Sequence, residues 1–418
     1  MPEEIEKAPR INPFVSNLSA LNSIFSLSMT VFTFAIIIYL QGADEPVYLA
    51  GIGLTVGQAL LIGISIFQGR AIDRGHSFTL MIAGSFLYGI SLLFLYLNVS
   101  KGLLVSGFIP VFIAVMIISE GFFRASLNSF IAKASAANII GKNYARVFTG
   151  ETVGSSISYL ILIIGAVSSD ISYVFLGSGI LLICMSFLAF FVLYSREKEA
   201  MKSDEAQVRR PGFFESLRSL RDRRKFVVPL ITSKAMMTVG LIGFSLFYVP
   251  SGVILGIPIE YSFAVLLLTY VIASVLGRYS ERFIDRKSGL GRRFISLTML
   301  LDVVTYGLIL LAILVKNEYL FLGAALFSSP GIVTVTGAMS FEVSVIGKEN
   351  RGIFGGVQRQ VVGLAATLVS LPLTLLYSLG FEYLWEIVWG SSIISFLITF
   401  VIPKSATANL TGNQSQNK

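Results

Sequence analysis

The chain has 418 residues, of which 54% are hydrophobic and 13% charged, with a mean hydropathy of +0.78 and a formal net charge of +8. A soluble domain carries about a quarter charged residues, so this composition excludes one. A single cysteine, Cys184, excludes an intrachain disulfide, and a single histidine, His76, excludes a His/Cys metal cluster.

Twelve apolar runs follow in order, at about 15–41, 47–68, 78–98, 103–132, 147–167, 172–194, 226–250, 261–280, 294–315, 319–344, 353–378 and 383–402. Each approaches or exceeds the roughly 20 residues a helix needs to cross hydrocarbon. Lipid satisfies no backbone hydrogen bond, so helix is the predicted state, and many runs are too long and continuous for barrel strands. The first run follows the acidic segment MPEEIEKAPR and is too long for a signal h-region, which predicts an uncleaved first helix. Cys184, inside the sixth run, is expected to be a buried, inert thiol.

Basic residues near span ends resist translocation. With the N-terminus, every second loop and the C-terminus placed in the cytoplasm, those segments hold 27 of the 32 Lys and Arg residues, counting Arg278 at the cytoplasmic end of the eighth run. The opposite loops hold Lys101 and Lys316, while Arg124, Lys234 and Arg359 fall inside apolar runs. This asymmetry predicts a multi-pass protein of the cell membrane with both termini cytoplasmic. Its positive charge then serves anionic membrane lipids rather than nucleic acid.

The connection from Ser195 to Lys225 carries ten basic residues and divides the runs six and six. Phe213, Phe214, Leu217 and Leu220 recur there at helical spacing, opposite Arg218, Arg221, Arg223 and Arg224. The pattern suits an amphipathic helix on the inner leaflet, with a solvated charged linker as the alternative. The predicted organisation is a six-helix bundle over 1–194, the basic linker over 195–225, a second bundle over 226–402, and a polar, disordered cytoplasmic tail over 403–418.

Ionised groups at bilayer depth are costly and face a cavity or a partner. Glu120 and Arg124 stand four residues apart in the fourth run, on one helix face and within pairing distance. They form either a substrate or proton site or a self-satisfied pair, and Asn128 continues the face by one turn. Lys234 lies about 12 Å into the seventh run. No acid stands three or four residues away, so its partner is on another helix or is substrate, unless it snorkels to the headgroups. Arg359, between Gln358 and Gln360 early in the eleventh run, has the same alternatives. Asp302, deep in the ninth run, either caps a polar contact between helices or, if desolvated, carries a proton. Small polar residues of the first run (Asn22, Ser23, Ser26, Ser28, Thr30, Thr33) and of the tenth (Ser328, Ser329, Thr334, Thr336) either bind a polar solute or pack helices closely. Pro330 beside Gly331 points to a bend.

The halves repeat. Gly69-Arg70-Ala71-Ile72-Asp73-Arg74-Gly75 follows the second run, and Glu281-Arg282-Phe283-Ile284-Asp285-Arg286 follows the eighth. Gly141-Lys142-Asn143-Tyr144-Ala145-Arg146, with Gly150 beyond, follows the fourth run. Gly347-Lys348-Glu349-Asn350-Arg351, with Gly355 beyond, follows the tenth. With these repeats the chain resembles the major facilitator superfamily over about residues 12–402, and the Asp73-Arg74-Gly75 loop, with Gly69 four residues before the Asp, is similar to the family's signature between helices 2 and 3. His76 and Ser77 stand where the signature continues with basic residues, and Glu281 replaces its leading glycine in the second copy. Span 5 begins Gly150-Glu151-Thr152-Val153-Gly154, without the Gly-Pro pair of the family's drug antiporters.

The resemblance implies an all-α integral membrane fold, with 12 transmembrane helices in two pseudo-symmetric six-helix bundles and helices 1, 4, 7 and 10 lining a central cavity. It sets Asp73 against the start of helix 11 and Asp285 against the start of helix 5. A helix N-terminus stabilises a carboxylate by roughly 0.3–1 kcal/mol, which makes a cytoplasmic latch between the halves. Gly69, Arg74, Arg146, Glu151, Arg286, Glu342 and Arg351 join this gate network. The expected function is secondary active transport of a small polar or anionic organic solute by alternating access, coupled to protons. The anionic option rests on Arg124 and Lys234 outnumbering Glu120 in the cavity. No Walker loop or cofactor motif appears, so no enzyme, cofactor or metal site is expected, and the working unit is a monomer. The alternatives are a multidrug efflux antiporter, which calls for a buried acid in helix 1 or 2 that this chain lacks, and a non-transporting membrane sensor on the same fold.

Overall fold

A chain this apolar must close its backbone hydrogen bonds within each segment, and it does so as helices. The computed structural model describes residues 13–73, 76–101, 105–134, 140–168, 171–202, 218, 220–280, 291–346 and 351–402. The helices are α1 Pro13–Gly42, α2 Tyr48–Asp73, α3 Ser77–Lys101, α4 Ile109–Ala134, α5 Ile140–Val167 and α6 Ser172–Lys202. The second half holds α7 Arg224–Ile254, α8 Ile259–Ser280, α9 Gly291–Leu314, α10a Glu318–Leu326, α10b Gly331–Ile346, α11 Arg351–Leu379 and α12 Phe381–Thr399. Among the described residues, eleven helices are long and apolar enough to cross a membrane. The twelfth span is the broken pair α10a–α10b.

That break has a local cause. Pro330 has no N–H to return to the preceding turn, which ends α10a. Two hydroxyls fold back on the last turn beside the backbone amides: Ser328 Oγ donates to Ala325 O and Ser329 Oγ to Leu326 O, carbonyls that also accept the N–H of Ser328 and of Ser329, each at 3.1 Å. The first of these contacts measures 2.7 Å. Thr334 Oγ1 donates to Gly331 O at 3.0 Å, at the start of α10b. The bend expected at Pro330-Gly331 is therefore present, and these hydroxyls of the tenth run serve the backbone.

The packing of one half recurs in the other. α1 lies on α5 and α6, α3 on α4 and α6, and α2 on α4. Six positions later in helix order, α7 lies on α11 and α12, α9 on the broken α10 and α12, and α8 on α10a and α10b. Two long seams join the halves, α2 with α11 and α5 with α8. Each seam pairs the second helix of one bundle with the fifth helix of the other, as pseudo-twofold symmetry requires.

The polar residues of α1 explain its central place. Asn22 Nδ2 donates to Val147 O at 3.0 Å, Ser28 Oγ to Ser178 O at 3.2 Å, and the Thr30 and Ser155 hydroxyls meet at 2.8 Å. These groups hold α1 to α5 and α6. Small residues let the backbones approach. A Cβ built on Gly150 would stand 2.5 Å from Ser19 O, and one on Gly154 would overlap Ser23 O.

The face bearing the basic loops and the chain ends is called the basic face below. On the opposite, distal face the halves touch through aromatic rings, with Phe34 of α1 edge-on to Phe244 of α7 at 6.1 Å and Tyr159 of α5 against Phe263 of α8 at 6.5 Å. The distal turns are tight, with Lys316 at φ 53° and Gly256 at φ 88°, the left-handed region that suits glycine.

Three expectations change. Cys184 is exposed rather than buried, because α6 packs through one face only and Cys184 lies on the other. The fourth run begins later than expected, at Ile109, after a short 3₁₀ turn over Ser106–Phe108. Leu220 is 6% exposed and packs with Phe226, Val227 and Phe354 of the second half, so it faces protein. Phe213, Phe214, Leu217 and the tail 403–418 lie outside the described residues, as do Arg74, Asp285 and Arg286.

Candidate functional site

Three helices of the first half bring their charges together. Glu120 and Arg124 share one face of α4, as their spacing dictates, and Arg124 Nε stands 3.4 Å from Glu120 Oε1. The guanidinium fork turns to α5 instead. Its Nη1 donates to Glu151 Oε2 at 2.7 Å and its Nη2 to Glu151 Oε1 at 2.9 Å. Two parallel short contacts of this kind are the strong geometry for arginine and carboxylate. Nη2 also meets Met29 Sδ of α1 at 3.2 Å. The side chains keep 30% of their surface accessible at Glu120, 24% at Arg124 and 20% at Glu151, so none is sealed in. Glu120 has the longest contact and the most access.

Glu151 reaches Arg124 because Gly150 and Gly154 flank it and draw α5 onto α1. Its sequence position near one end of span 5 grouped it with the gate; the structure sets it beside Arg124. On the same stretch of α4, Phe123 stacks on Phe25 of α1, and Tyr88 of α3 stands edge-on to Phe25 at 5.2 Å. Asn128, one turn along α4, is exposed and makes no hydrogen bond with the cluster among the described residues.

The second half holds a simpler pair. Lys234 Nζ of α7 lies 2.7 Å from Glu342 Oε2 and 2.5 Å from Oε1, across to α10b. Lys234 thus finds on another helix the acid it lacks on its own. Glu342 is 7% exposed. No spacing rule pairs residues 108 apart, so neither this contact nor Arg124–Glu151 was visible in sequence. With both in place, three carboxylates face two cations.

Arg359 of α11 stands at the seam between halves, where its Nη1 donates to Gln68 Oε1 of α2 at 3.0 Å. Gln68, 2% exposed, also donates from Nε2 to Gly121 O of α4 at 2.8 Å. Sequence reasoning missed Gln68; its one signal was a polar amide at the end of an apolar run, directly before Gly69. Asp302 lies on α9, and its Oδ2 is buried without a hydrogen-bond partner among the described residues.

At the basic face, Asp73 is the last residue of α2 and Arg351 the first of α11, and their side chains lie outside the description. Gly69 has open space where a Cβ would be. Arg146 Nη2 donates to Ser16 Oγ at 3.2 Å, a contact with α1 inside its own half. The structure therefore unites Glu120, Arg124 and Glu151, pairs Lys234 with Glu342, and leaves Asn128, Asp302 and Arg359 apart from both groups.

Comparison places the fold of this chain, as distinct from these charges, beside those of solved transporters. Its fold is similar to that of a D-xylose–proton symporter, with a TM-score of 0.71 at 14% identity over 94% of this chain and 98% of that one. It is also similar to the xylose transporter XylE from E. coli in a partially occluded inward-open conformation, with a TM-score of 0.69 at 13% identity over 93% and 98%. A bacterial homologue of the iron transporter ferroportin shares the fold, with a TM-score of 0.65 at 14% identity over 92% and 98%. No curated protein sequence matches this chain. A family model described as Major Facilitator Superfamily matches residues 18–372. With that match over most of its length and the repeated packing of its two bundles, the chain belongs to the major facilitator superfamily.

Proposed function

We propose that the protein is a proton-coupled secondary active transporter of a small polar solute. On this reading it works as a monomer in the cell membrane, with both termini and the basic face in the cytoplasm. The observation that carries the proton role is the division of labour around Arg124. Glu151 holds the guanidinium with two short contacts, while Glu120 stands at 3.4 Å with the greater access. Glu120 can then gain or lose a proton without leaving Arg124 unpaired, which a lone Glu–Arg pair could not allow. Alternating access turns that exchange into coupling, because each protonation state favours a different arrangement of the halves.

The solute class narrows with the same geometry. Arg124 and Lys234 are both already matched by carboxylates, so the cationic surplus that favoured an anion is gone. A neutral polar solute fits better. The D-xylose–proton symporter shows that this fold can couple such a solute to protons. The aromatic contacts between halves on the distal face support a cycle in which that face is closed while the basic face opens.

The test uses purified protein in proteoliposomes and a counterflow panel of sugars, amino acids, carboxylates and dyes. A neutral polar solute should exchange, and an imposed proton gradient should concentrate it. Glu120→Gln should abolish gradient-driven accumulation while exchange survives. Accumulation that persists in Glu120→Gln removes this residue from coupling. Absence of flux for every class assigns a sensor instead.

A further inference from the structure

The α2–α11 seam carries a contact that reaches the charge cluster. Gln68 touches both halves, accepting from Arg359 of α11 at 3.0 Å and donating to Gly121 O of α4 at 2.8 Å. Gly121 is the residue after Glu120. Here α2 and α4 lie so close that a Cβ on Gly121 would overlap the Leu61 side chain. A primary amide has one accepting end and one donating end. Arg359 can only donate and a carbonyl can only accept, so one orientation of Gln68 satisfies both. In a setting buried from water, each partner holds the amide in place for the other. When α2 separates from α11, the Arg359 contact is lost and the hold on Gly121 O weakens with it. Gly121 lies between Glu120 and Arg124 on α4, so the contact that holds its carbonyl also sets where that turn stands against α2.

We infer that Gln68 is a positioning residue that couples separation of the α2–α11 seam to the geometry of the Glu120–Arg124–Glu151 cluster. This rests on the transport reading above. It goes beyond that reading by naming the link through which gate and proton site communicate.

The link is tested by separating coupling from transport. Gln68→Met keeps the length of the side chain and removes both polar contacts. In proteoliposomes it should lower steady-state accumulation roughly 5-fold, the scale of one coupled contact, while counterflow per folded molecule stays within about twofold. A merely structural role would lower both together. Gln68→Asn, which stays polar but is one methylene too short to bridge both partners, should behave like Gln68→Met. Should Gln68→Met fold poorly, Gln68→Asn decides the matter. Combined with Arg359→Met, Gln68→Met should lower accumulation no further than the larger single effect. Additive losses, or accumulation in Gln68→Asn equal to that of the unaltered protein, overturn the inference.

If no solute moves at all, the transport reading falls and conformational measurement decides the coupling by itself. Spin labels at His76→Cys and Arg293→Cys, in a Cys184→Ala background, report separation of the halves at the basic face. With the link intact, Glu120→Gln should shift the distribution of label distances. In Gln68→Met the same Glu120→Gln change should shift it no further. An undiminished shift refutes the link.

Discussion

Arg124 shows how a charge at bilayer depth is made tolerable. A lone arginine there is costly, and one acid four residues away would neutralise it only while ionised. The second acid, Glu151, changes this, because it takes the fork at 2.7 and 2.9 Å and leaves Glu120 with one contact at 3.4 Å. The two glutamates should therefore fail differently. Glu151→Gln breaks a largely buried bidentate pair and should cost on the order of 3 kcal/mol. The expected readout is a lower apparent melting temperature in detergent, with reduced yield of monodisperse protein. Glu120→Gln should melt close to the unaltered protein. Equal melting of the two variants would show that Glu120 holds Arg124 as firmly as Glu151 does.

At the scale of helices, small residues decide where the charges arrive. Gly150 and Gly154 bring the α5 backbone against Ser19 and Ser23 of α1, and Glu151 rides between them. Adding a methyl at Gly154 meets backbone rather than a side-chain tip, so α1 and α5 must part. Gly154→Ala should destabilise the fold by about 1–3 kcal/mol, the usual range for overpacking. It should also loosen the Arg124–Glu151 contact and lower accumulation, whereas Gly177→Ala, where nothing stands within 4 Å of the new methyl, should be nearly silent. Melting temperatures of the two variants settle the comparison. The broken tenth span follows the same logic with a different residue. Pro330 ends α10a, and the Ser328 and Ser329 hydroxyls bond back to carbonyls of its last turn.

At the scale of the whole molecule, two seams related by pseudo-symmetry carry the halves, and their basic ends are where opening is expected. Orientation is tested by labelling in a Cys184→Ala background. A cysteine in the 195–225 connection should react only with reagent added to the cytoplasmic side, and one at Ala43 only from outside. Reaction of the connection from outside ends the proposed orientation. The latch is tested separately. Asp73→Asn and Asp285→Asn should each lengthen distances between labels on the two halves at the basic face. Each 1.4 kcal/mol lost moves such an equilibrium about tenfold. Unchanged distances and an unchanged transport rate in both variants would remove the two aspartates from gating.

The sequence by itself determined the class of fold. Run length, backbone hydrogen bonding and the repeated loops depend on local chemistry, and they point to twelve helices in two related halves before any contact is known. Glu120 with Arg124 was legible for the same reason, since helical spacing alone sets them on one face. The partners of those charges were not legible. Glu151 comes to Arg124 from 27 residues away, Glu342 to Lys234 from 108, and Gln68 to Arg359 from 291. Helix periodicity says which face a residue occupies but not which helix that face meets. Only the tertiary structure decided that both intramembrane cations of the central helices α4 and α7 are neutralised, and so turned a cationic surplus into an acidic one. Cys184 shows the same limit in reverse, because an apolar run looks alike whether its face meets protein or lipid.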